Sequence, residues 1–256
     1  MNSEHIVKAF DEELQQLNAA VLRMGGIAEA QLAAAIEALM RRDTELAKKV
    51  VAGDDAIDQM DLELDENAVR TLALRQPMAN DLREVIAALK ISSDIERIGD
   101  YAKNVAKRTL ALNQLTPHEA ARSIPRMAKL VQAIIKDVLD AYANHDPNRA
   151  IDVWHRDEEV DEMYTALFRE ILTYMMEDPR NITPCTHLLF IAKNIERIGD
   201  HATNIAETTH YLSTGKRIHG GRPKGDLSSF QVVNPKEEGT TKGGGPKGES
   251  KEKEGA

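Results

Sequence analysis

The sequence predicts an all-α protein made of two tandem three-helix bundles followed by a C-terminal tail. The first observation is an internal repeat, because the segment Ile95–Asp100 reads Ile-Glu-Arg-Ile-Gly-Asp and returns unchanged at Ile195–Asp200. Eleven of twenty positions are identical between residues 91–110 and 191–210, so the chain uses one structural unit twice. The second is composition, since aromatic residues make up only 4% of the chain and ten of its fifteen glycines lie from Gly215 onward. The remaining body is rich in Ala, Leu, Ile and charged residues, which is typical of helices.

The third observation is the spacing of apolar residues around the repeat. Ile95, Ile98 and Ala102 recur at steps of three and four, which predicts one buried face of a helix. Glu96 and Asp100 stand four residues apart and nearly opposite that face, so we expect their carboxylates to be neighbours on an exposed surface. Each copy also carries a glycine inside helical sequence. Glycine there costs about 1 kcal/mol relative to alanine, which indicates a close neighbour at that point.

Capping residues and prolines place the helices in chain order. Six long helices are predicted, beginning near residues 3, 44, 77, 117, 147 and 183. Gly25 and Gly26 interrupt the first, which predicts a kink or a close helix contact there. The later helices begin at a capping side chain or at a proline in the first turn: Asp43, Pro77, Thr116–Glu119, Asp146–Pro147 and Thr183–Pro184.

The repeated motif ends the third and the sixth helix, so each copy closes a set of three. We therefore expect one bundle over residues 1–113 and a second over residues 114–214. Residues 215–256 mix Gly with Lys, Glu, Pro and Ser. Such a segment cannot bury enough apolar surface to fold alone, and we expect it to be disordered.

Charge and cysteine content exclude several classes of function. The chain carries a net charge of −9, and the nine basic and six acidic residues of 216–256 contribute +3, which leaves −12 on the body. Such a body is a poor ligand for nucleic acid or anionic membranes and attracts metal cations or basic partners. Cys185 is the only cysteine, which fits a reducing compartment. The N-terminus shows neither a signal peptide nor a long apolar segment, so we expect a soluble cytoplasmic protein without membrane insertion.

A second pair of acids lies on the middle helix of each set, again four residues apart. If these pairs face the motif pairs, each bundle gathers oxygen ligands suited to hard cations or iron. The candidate metal ligands are Asp54, Asp58, Glu96 and Asp100 in the first bundle and Asp157, Asp161, Glu196 and Asp200 in the second. A metal-free alternative is equally open, because Arg97 and Arg197 can neutralise carboxylates by bidentate pairing.

The chain resembles the PhoU family of phosphate-uptake regulators over about residues 5–213. The segments that carry the resemblance are Arg23–Gly26, Arg75–Pro77, Asp81–Arg83, both copies of the motif, and Leu172–Asp178. The resemblance implies two three-helix bundles with metal sites at the eight carboxylates, often multinuclear iron or zinc, with manganese or magnesium also seen. Asn194 stands where the first repeat has Asp94, so the two sites are expected to differ in charge or occupancy.

The resemblance also implies a function. PhoU-like proteins are negative regulators of phosphate uptake and of phosphate-starvation (Pho regulon) signalling. They dock onto the ATPase of the phosphate ABC transporter and onto the PAS region of a sensor histidine kinase. We also expect a homodimer. Since the sequence has no nucleotide-binding loop and no nucleophile–base motif, we expect no enzymatic activity.

The alternative is a di-iron carboxylate enzyme or metal-storage bundle of ferritin type. Such a site takes a Glu-x-x-His from each of two helices and a Glu from each of two others. The sequence offers one such spacing, Glu207 with His210. This alternative therefore ranks below the regulatory one.

Overall fold

The structure, a computed structural model, describes residues 2–220 and Arg222, with side chains from Phe10 onward. Residues 223–256, which make up most of the predicted disordered tail, lie outside the described residues. The described part contains two short 3-10 helices, Glu119–Ser123 and Pro179–Asn181, and a series of α-helices: α1 Asn2–Arg41, α2 Thr44–Gly53, α3 Asp55–Arg75, α4 Asn80–Leu112, α5 Ile124–Ala143, α6 Pro147–His155, α7 Asp157–Glu177 and α8 Ile182–Thr214.

The predicted fold class and its six long helices are confirmed, with the second and the fifth helix each divided in two. The second divides at Asp54, between α2 and α3, and the fifth divides at Arg156, between α6 and α7. Consequently Asp54 precedes the first residue of α3, and Asp157 is the first residue of α7. A helix N-terminus carries partial positive charge, which stabilises a carboxylate there. Gly53, directly before Asp54, is the sequence signal that marks the first division.

Two predicted caps act as expected, and one predicted helix start is wrong. Asp43 Oδ1 accepts a hydrogen bond from Leu46 N at 2.9 Å at the start of α2. Asp146 caps α6 through the backbone nitrogens of the second and third residues that follow it. Pro77 lies outside α4, which begins at Asn80 after Ala79, whose φ is +50°.

The capping box at Thr116–Glu119 also has a different role from the predicted one. It opens the 3-10 helix Glu119–Ser123, and α5 begins only at Ile124, with Pro125 in its first turn. The cap acceptor is His118, whose Nδ1 accepts from Ala120 N at 3.2 Å. A short turn of tighter helix therefore separates the inter-bundle connection from α5.

The two motif helices form the centre of the molecule. α4 and α8 pack against each other more extensively than any other pair of helices. α1, α2 and α3 cover α4 in the first bundle, and α5, α6 and α7 cover α8 in the second. The isoleucines of both motif copies are buried in one continuous core, as the apolar period predicts.

Both motif glycines lie against the middle helix of their own bundle. A Cβ at Gly99 would stand 2.8 Å from Ile57 Cδ1, and a Cβ at Gly199 would stand 3.3 Å from Val160 Cγ1. These distances confirm the predicted close neighbour and bring α3 and α7 against the motif helices. In α1, a Cβ at Gly25 would stand 2.5 Å from Leu139 Cδ2, so the interruption there marks a close helix contact.

One expectation about the N-terminal region is wrong, because α1 does contain a long apolar segment. Phe10–Arg41 is long and apolar enough to cross a membrane, and 44% of its most apolar window is buried inside the protein. Val21, Met24 and Leu32 expose none of their surface. Burial of this kind is also typical of the core helix of a soluble protein.

Candidate metal-binding carboxylate clusters

Each bundle holds its four predicted ligands at the junction of the motif helix with the divided middle helix. We name them by bundle: the first cluster is Asp54, Asp58, Glu96 and Asp100, and the second cluster is Asp157, Asp161, Glu196 and Asp200. In both clusters a single basic side chain contacts an acid from each helix. The two carboxylate pairs therefore do face one another.

Asp54 is the most deeply buried member of the first cluster, since its carboxylate is fully shielded from solvent. Lys103 Nζ lies 2.6 Å from Asp54 Oδ2, and Gln31 Nε2 donates to Asp54 Oδ1 at 2.9 Å. A buried carboxylate is tolerated only when it is paired and hydrogen-bonded. Lys103 also reaches Asp100 Oδ1 at 3.9 Å, so the same ammonium lies between the two helices.

The other first-cluster acids repel one another. Burial, followed by the charge of Asp54, raises the pKa of the Asp58 carboxyl, and Lys103 opposes that rise. Burial and the charge of Asp100 likewise raise the pKa of Glu96, against the nearby Arg97. Closely spaced carboxylates hold protons more tightly because their charges repel. A cation placed among them would remove that repulsion.

Asp157 occupies the same place in the second cluster and is 2% exposed. Thr203 Oγ1 donates to Asp157 Oδ1 at 3.1 Å. The charge partner is Arg222, which follows α8 and forms a two-pronged contact: Nε lies 2.7 Å from Oδ2, and an Nη lies 2.9 Å from Oδ1. This bidentate geometry is the strong form of an arginine–carboxylate pair.

Arg222 also contacts the motif helix. The Nη that reaches Asp157 lies 2.9 Å from Asp200 Oδ1 and 3.0 Å from the carbonyl oxygen of Asp200. The other Nη donates to Asn204 Oδ1 at 3.4 Å. One guanidinium thus joins α7 and α8 as Lys103 joins α3 and α4.

Glu196 has the most perturbed environment of the eight acids. It is 5% exposed, Lys193 Nζ lies 2.9 Å from its Oε1, and its Oε2 is buried without a hydrogen-bond partner. Burial raises the pKa of the Glu196 carboxyl to about 7, against the opposing Lys193, and the charges of Asp200 and Asp161 add to the rise. The second cluster therefore contains an acceptor oxygen that no described protein group satisfies.

The described conformation does not hold a ready-made metal site. Among the residues that the structure describes, no three Asp, Glu, His or Cys side chains are arranged to share one metal ion. In each cluster a basic nitrogen lies among the carboxylate oxygens that a cation would bind. The donor set suits a hard cation or iron by its chemistry, and binding requires the basic side chain to move away.

The expectation that the motif carboxylates lie on an exposed face is wrong for Glu196, which is buried, while Glu96, Asp100 and Asp200 are half-buried. Asp54, Asp157, Asp161 and Glu196 are buried, because the middle helix packs over the motif face close to each glycine. Arg97 does contact carboxylates, with Nε 3.3 Å from Glu96 and an Nη 3.4 Å from Asp100. Arg197 Cζ instead lies 5.6 Å from the centre of the Tyr101 ring.

Sequence reasoning missed the groups that pair with or hydrogen-bond to the buried acids: Gln31, Lys103, Lys193 and Arg222. Alignment of the two repeats contains a signal for Lys103 and for Arg222. Lys103 corresponds to Thr203, so the second repeat lacks the lysine that pairs with the buried Asp in the first. A charge for Asp157 must therefore come from elsewhere, and it comes from Arg222.

The spacing that favours a ferritin-type site does not form one. Glu207 Oε1 accepts from Trp154 Nε1 at 3.0 Å, and His210 Nδ1 lies 3.0 Å from the carbonyl oxygen of Lys216. Both side chains are thus held by partners outside the clusters, with Glu207 near enough to interact electrostatically with Arg222. Cys185 is buried with Sγ 3.8 Å from His118 Nε2, an environment that raises the pKa of the thiol.

Comparison with known proteins agrees with the repeat. The family model described as PhoU domain matches the chain twice, over residues 21–109 and 124–209. Proteins named phosphate-specific transport system accessory protein PhoU homolog are similar over most of their length. The one from Caulobacter vibrioides is 60% identical over 89% of this chain and 99% of its own length. The one from Rhizobium meliloti is 52% identical over 90% of this chain and 97% of its own length.

Two solved structures have the same fold. The crystal structure of PhoU from Pseudomonas aeruginosa superposes with a TM-score of 0.78 at 41% identity, covering 81% of this chain and 100% of that one. The phosphate transport system regulatory protein PhoU from Streptococcus pneumoniae superposes with a TM-score of 0.75 at 34% identity, covering 82% of this chain and 99% of that one.

Proposed function

The chain belongs to the PhoU family, and from that membership we propose that it is a negative regulator of phosphate uptake and of phosphate-starvation signalling. The observation that carries the proposal is similarity over nearly the whole length of the relatives. Proteins named as accessory to phosphate-specific transport match at up to 60% identity over 99% of their length. Both copies of the repeat and the connection between them are thus shared.

Docking is the proposed mode of action. The turn from α3 to α4 exposes four large apolar side chains, which we call the α3–α4 corner: Leu74, Met78, Leu82 and Ile86. Met78 is 80% exposed, and Leu82 and Ile86 lie one helical turn apart on one face of α4. Clustered exposed apolar residues mark interaction surfaces. The partners proposed for such surfaces are the phosphate ABC transporter ATPase and the PAS region of the sensor histidine kinase.

The two clusters are the proposed metal sites. Iron, zinc, manganese and magnesium are the candidate ions, bound through the eight cluster carboxylates once the basic side chains move. Metal analysis of Glu96→Ala/Asp100→Ala and of Glu196→Ala/Asp200→Ala tests each cluster separately. Since the clusters lie on different bundles, each double variant is expected to lose metal from one site and keep the other. Full metal content in a quadruple variant would contradict the assignment.

The proposal also covers the localisation of the protein, its lack of catalytic activity and its assembly. We place it in the cytoplasm, where its partners present their ATPase and kinase surfaces, and we assign it no catalytic activity of its own. The proposed assembly is a homodimer. Sedimentation over a range of protein concentrations tests the assembly, and a monomer at all concentrations would exclude the dimer.

Deletion of the gene tests the regulatory role. A strain without the protein is expected to express phosphate-starvation genes in phosphate-rich medium and to take up phosphate without control. The wild-type gene should restore repression. Ile98→Asp should not restore it, because Ile98 is 1% exposed and burial of an unpaired charge costs several kcal/mol. Normal repression in a deletion strain that has no second copy would defeat the proposal.

A charge at the α3–α4 corner tests docking separately from folding. Met78→Lys with Leu82→Lys should leave the melting temperature unchanged and weaken co-purification with the transporter ATPase. Leu62→Lys is the matched control, because Leu62 is 59% exposed and lies about 18 Å from Leu74 along α3. Equal loss of binding in both variants would show that the effect is one of general charge.

A further inference from the structure

We propose that Arg222 is an intramolecular counter-ion that occupies the cation position of the second cluster, so that a metal ion binds there only by displacing the segment after α8. The inference rests on the metal-binding part of the proposed function and adds its regulation. It also predicts that the two clusters differ. Arg222 can leave the second cluster with the segment that carries it, whereas Lys103 stays attached to α4 beside the first cluster and competes there with an incoming ion.

The buried acids at the starts of α3 and α7 each need a positive charge beside them. Asp54 and Asp157 stand at equivalent places at the starts of α3 and α7, and both are buried. In the first repeat, Lys103 supplies the charge from within the motif helix, at 2.6 Å. In the second repeat the equivalent residue is Thr203, a neutral hydrogen-bond donor. Asp157 thus lacks the lysine that pairs with Asp54, while Lys193 of the same repeat pairs with Glu196.

A short segment after α8 holds Arg222 on the second cluster. α8 ends at Thr214, and Gly215 adopts the left-handed conformation with φ of +69°, which lets the chain reverse direction. From Thr214 back to Asp200 the helix is about 21 Å long. The eight residues from Gly215 to Arg222 span about 26 Å when extended. The segment is therefore just long enough to run back along α8 and place the guanidinium on Asp200.

Arg222 and Lys103 are attached to the protein in different ways. Lys103 projects from the middle of α4, so the helix keeps its ammonium within reach of the first cluster even when the flexible side chain changes rotamer. Arg222 lies outside the helices, in a segment joined to the body through Gly215. Its loss from the cluster breaks ion pairs but no helix. Displacement of Arg222 therefore removes its charge from the second cluster, whereas Lys103 stays attached beside the first.

Arg222 leaves one buried carboxylate oxygen of the second cluster unsatisfied. Its contacts satisfy Asp157 and Asp200, while Glu196 Oε2 in the same cluster is buried and has no hydrogen-bond partner among the described residues. A cation in place of the guanidinium can take Glu196 as a third ligand beside Asp157 and Asp200 once these side chains move together, since the described conformation does not place them around one ion. This difference favours exchange of the guanidinium for a cation that takes more ligands.

Manganese(II) is the probe for the test, because its free ion is counted directly by electron paramagnetic resonance. Full-length protein is stripped with a chelator and titrated as wild type, Arg222→Gln and Arg222→Lys. Arg222→Gln is expected to bind manganese at the second cluster at least tenfold more tightly than wild type. Arg222→Lys should fall between them, since it keeps the charge and loses the bidentate contact. It also keeps the test valid if Arg222→Gln folds poorly.

Two controls assign the effect to the cluster. Arg217→Gln makes the same charge change at an exposed residue of the same segment and should bind as wild type. Asp157→Asn in the Arg222→Gln background should remove the gain. Trypsin cleavage after Arg217 is a second readout. Manganese should accelerate this cleavage in wild type, because the bound ion releases the segment. It should have no such effect in Arg222→Gln, in which the segment is already released.

The outcomes separate the inference from the function on which it rests. Equal manganese affinity in wild type and Arg222→Gln, with binding abolished by Asp157→Asn, would overturn the inference and keep the metal site. No binding at the second cluster in any variant would overturn both the inference and the proposed metal site. The regulatory role is judged separately, by the deletion strain.

Discussion

Asp94 Oδ1 lies 2.8 Å from His201 Nδ1, and this contact joins the two repeats at the centre of the molecule. Asn204 Nδ2 donates to the same oxygen at 3.2 Å, and the ring of Tyr101 lies 5.6 Å from the His201 ring. Asp94 and His201 both stand where the repeats differ, because the equivalent residues of the other repeat are Asn194 and Tyr101. The departures from internal symmetry are thus used to connect α4 to α8.

Asp94→Asn is predicted to weaken that connection. The variant should lower the free energy of unfolding by about 1 kcal/mol, since it removes a charged acceptor from a partly buried pair. A double-mutant cycle with His201→Phe measures the coupling between the two side chains. Asn194→Asp is the matched change in the other repeat and should not reproduce the effect. Additive losses in the cycle would show that the contact contributes nothing.

Glu196→Gln is predicted to remove a pH dependence of stability. The pKa of Glu196 in the folded protein is about 7, above the ordinary value of 4.5. Between these two pH values the unfolded chain releases the proton and the folded chain keeps it. Wild type therefore loses stability as pH rises through this window, by about 1.4 kcal/mol per pH unit from this group. The variant should lack that slope, as measured by denaturant unfolding from pH 4.5 to 8.

Glu96 provides the internal control for that experiment. Burial raises its pKa in the same direction, but its side chain is 22% exposed, whereas that of Glu196 is 6% exposed. Glu96→Gln should therefore change the pH profile less than Glu196→Gln. Identical profiles for wild type and Glu196→Gln would show that the carboxyl is ionised throughout.

Gly99→Ala is predicted to destabilise the protein although alanine is the better helix former. The new methyl group would stand 2.8 Å from Ile57 Cδ1 and 3.2 Å from Asp54 Oδ1. Overpacking of this kind costs about 1–3 kcal/mol. Ile57→Val in the same chain should recover part of the loss, because it removes the methyl group that clashes.

Gly26→Ala is the matched change without a neighbour. A Cβ at Gly26 meets nothing within 4 Å in the part of the chain that the structure describes, so helix propensity alone should act there and stabilise by up to about 1 kcal/mol. Thermal melting of the two variants side by side tests the contrast. A stabilised Gly99→Ala would show that α3 can move away from α4 at little cost.

The sequence predicts the helices well because they follow local rules, whereas metal binding by the eight acids stays a prediction. Apolar spacing identifies the face of each motif helix, and the repeat identifies equivalent acids. Burial of Asp54 and Glu196 could not be predicted in the same way, because it depends on how closely the middle helix packs at the motif glycines. The partner of Asp157 could not be predicted either, because Arg222 is distant in sequence and lies in a segment whose composition suggests disorder. Only the exchange of Lys103 for Thr203 pointed to it.

Lys103→Met is predicted to make stability depend on added metal. The variant leaves Asp54 buried without its charge partner, which should cost about 3–5 kcal/mol. A divalent cation can then take the place of the ammonium between Asp54 and Asp100. Because an ion that binds only the folded state stabilises it by mass action, manganese should raise the melting temperature of this variant more than that of wild type.

Two further variants assign that effect to the first cluster. Adding Asp54→Asn to Lys103→Met should recover most of the stability and remove the response to manganese, because Gln31 keeps its hydrogen-bond partner and the unpaired charge is gone. Lys107→Met removes an exposed lysine one turn further along α4 and should melt as wild type. A loss in Lys103→Met that Asp54→Asn does not recover would show that the lysine stem, packed between α3 and α4, stabilises the junction more than its charge does.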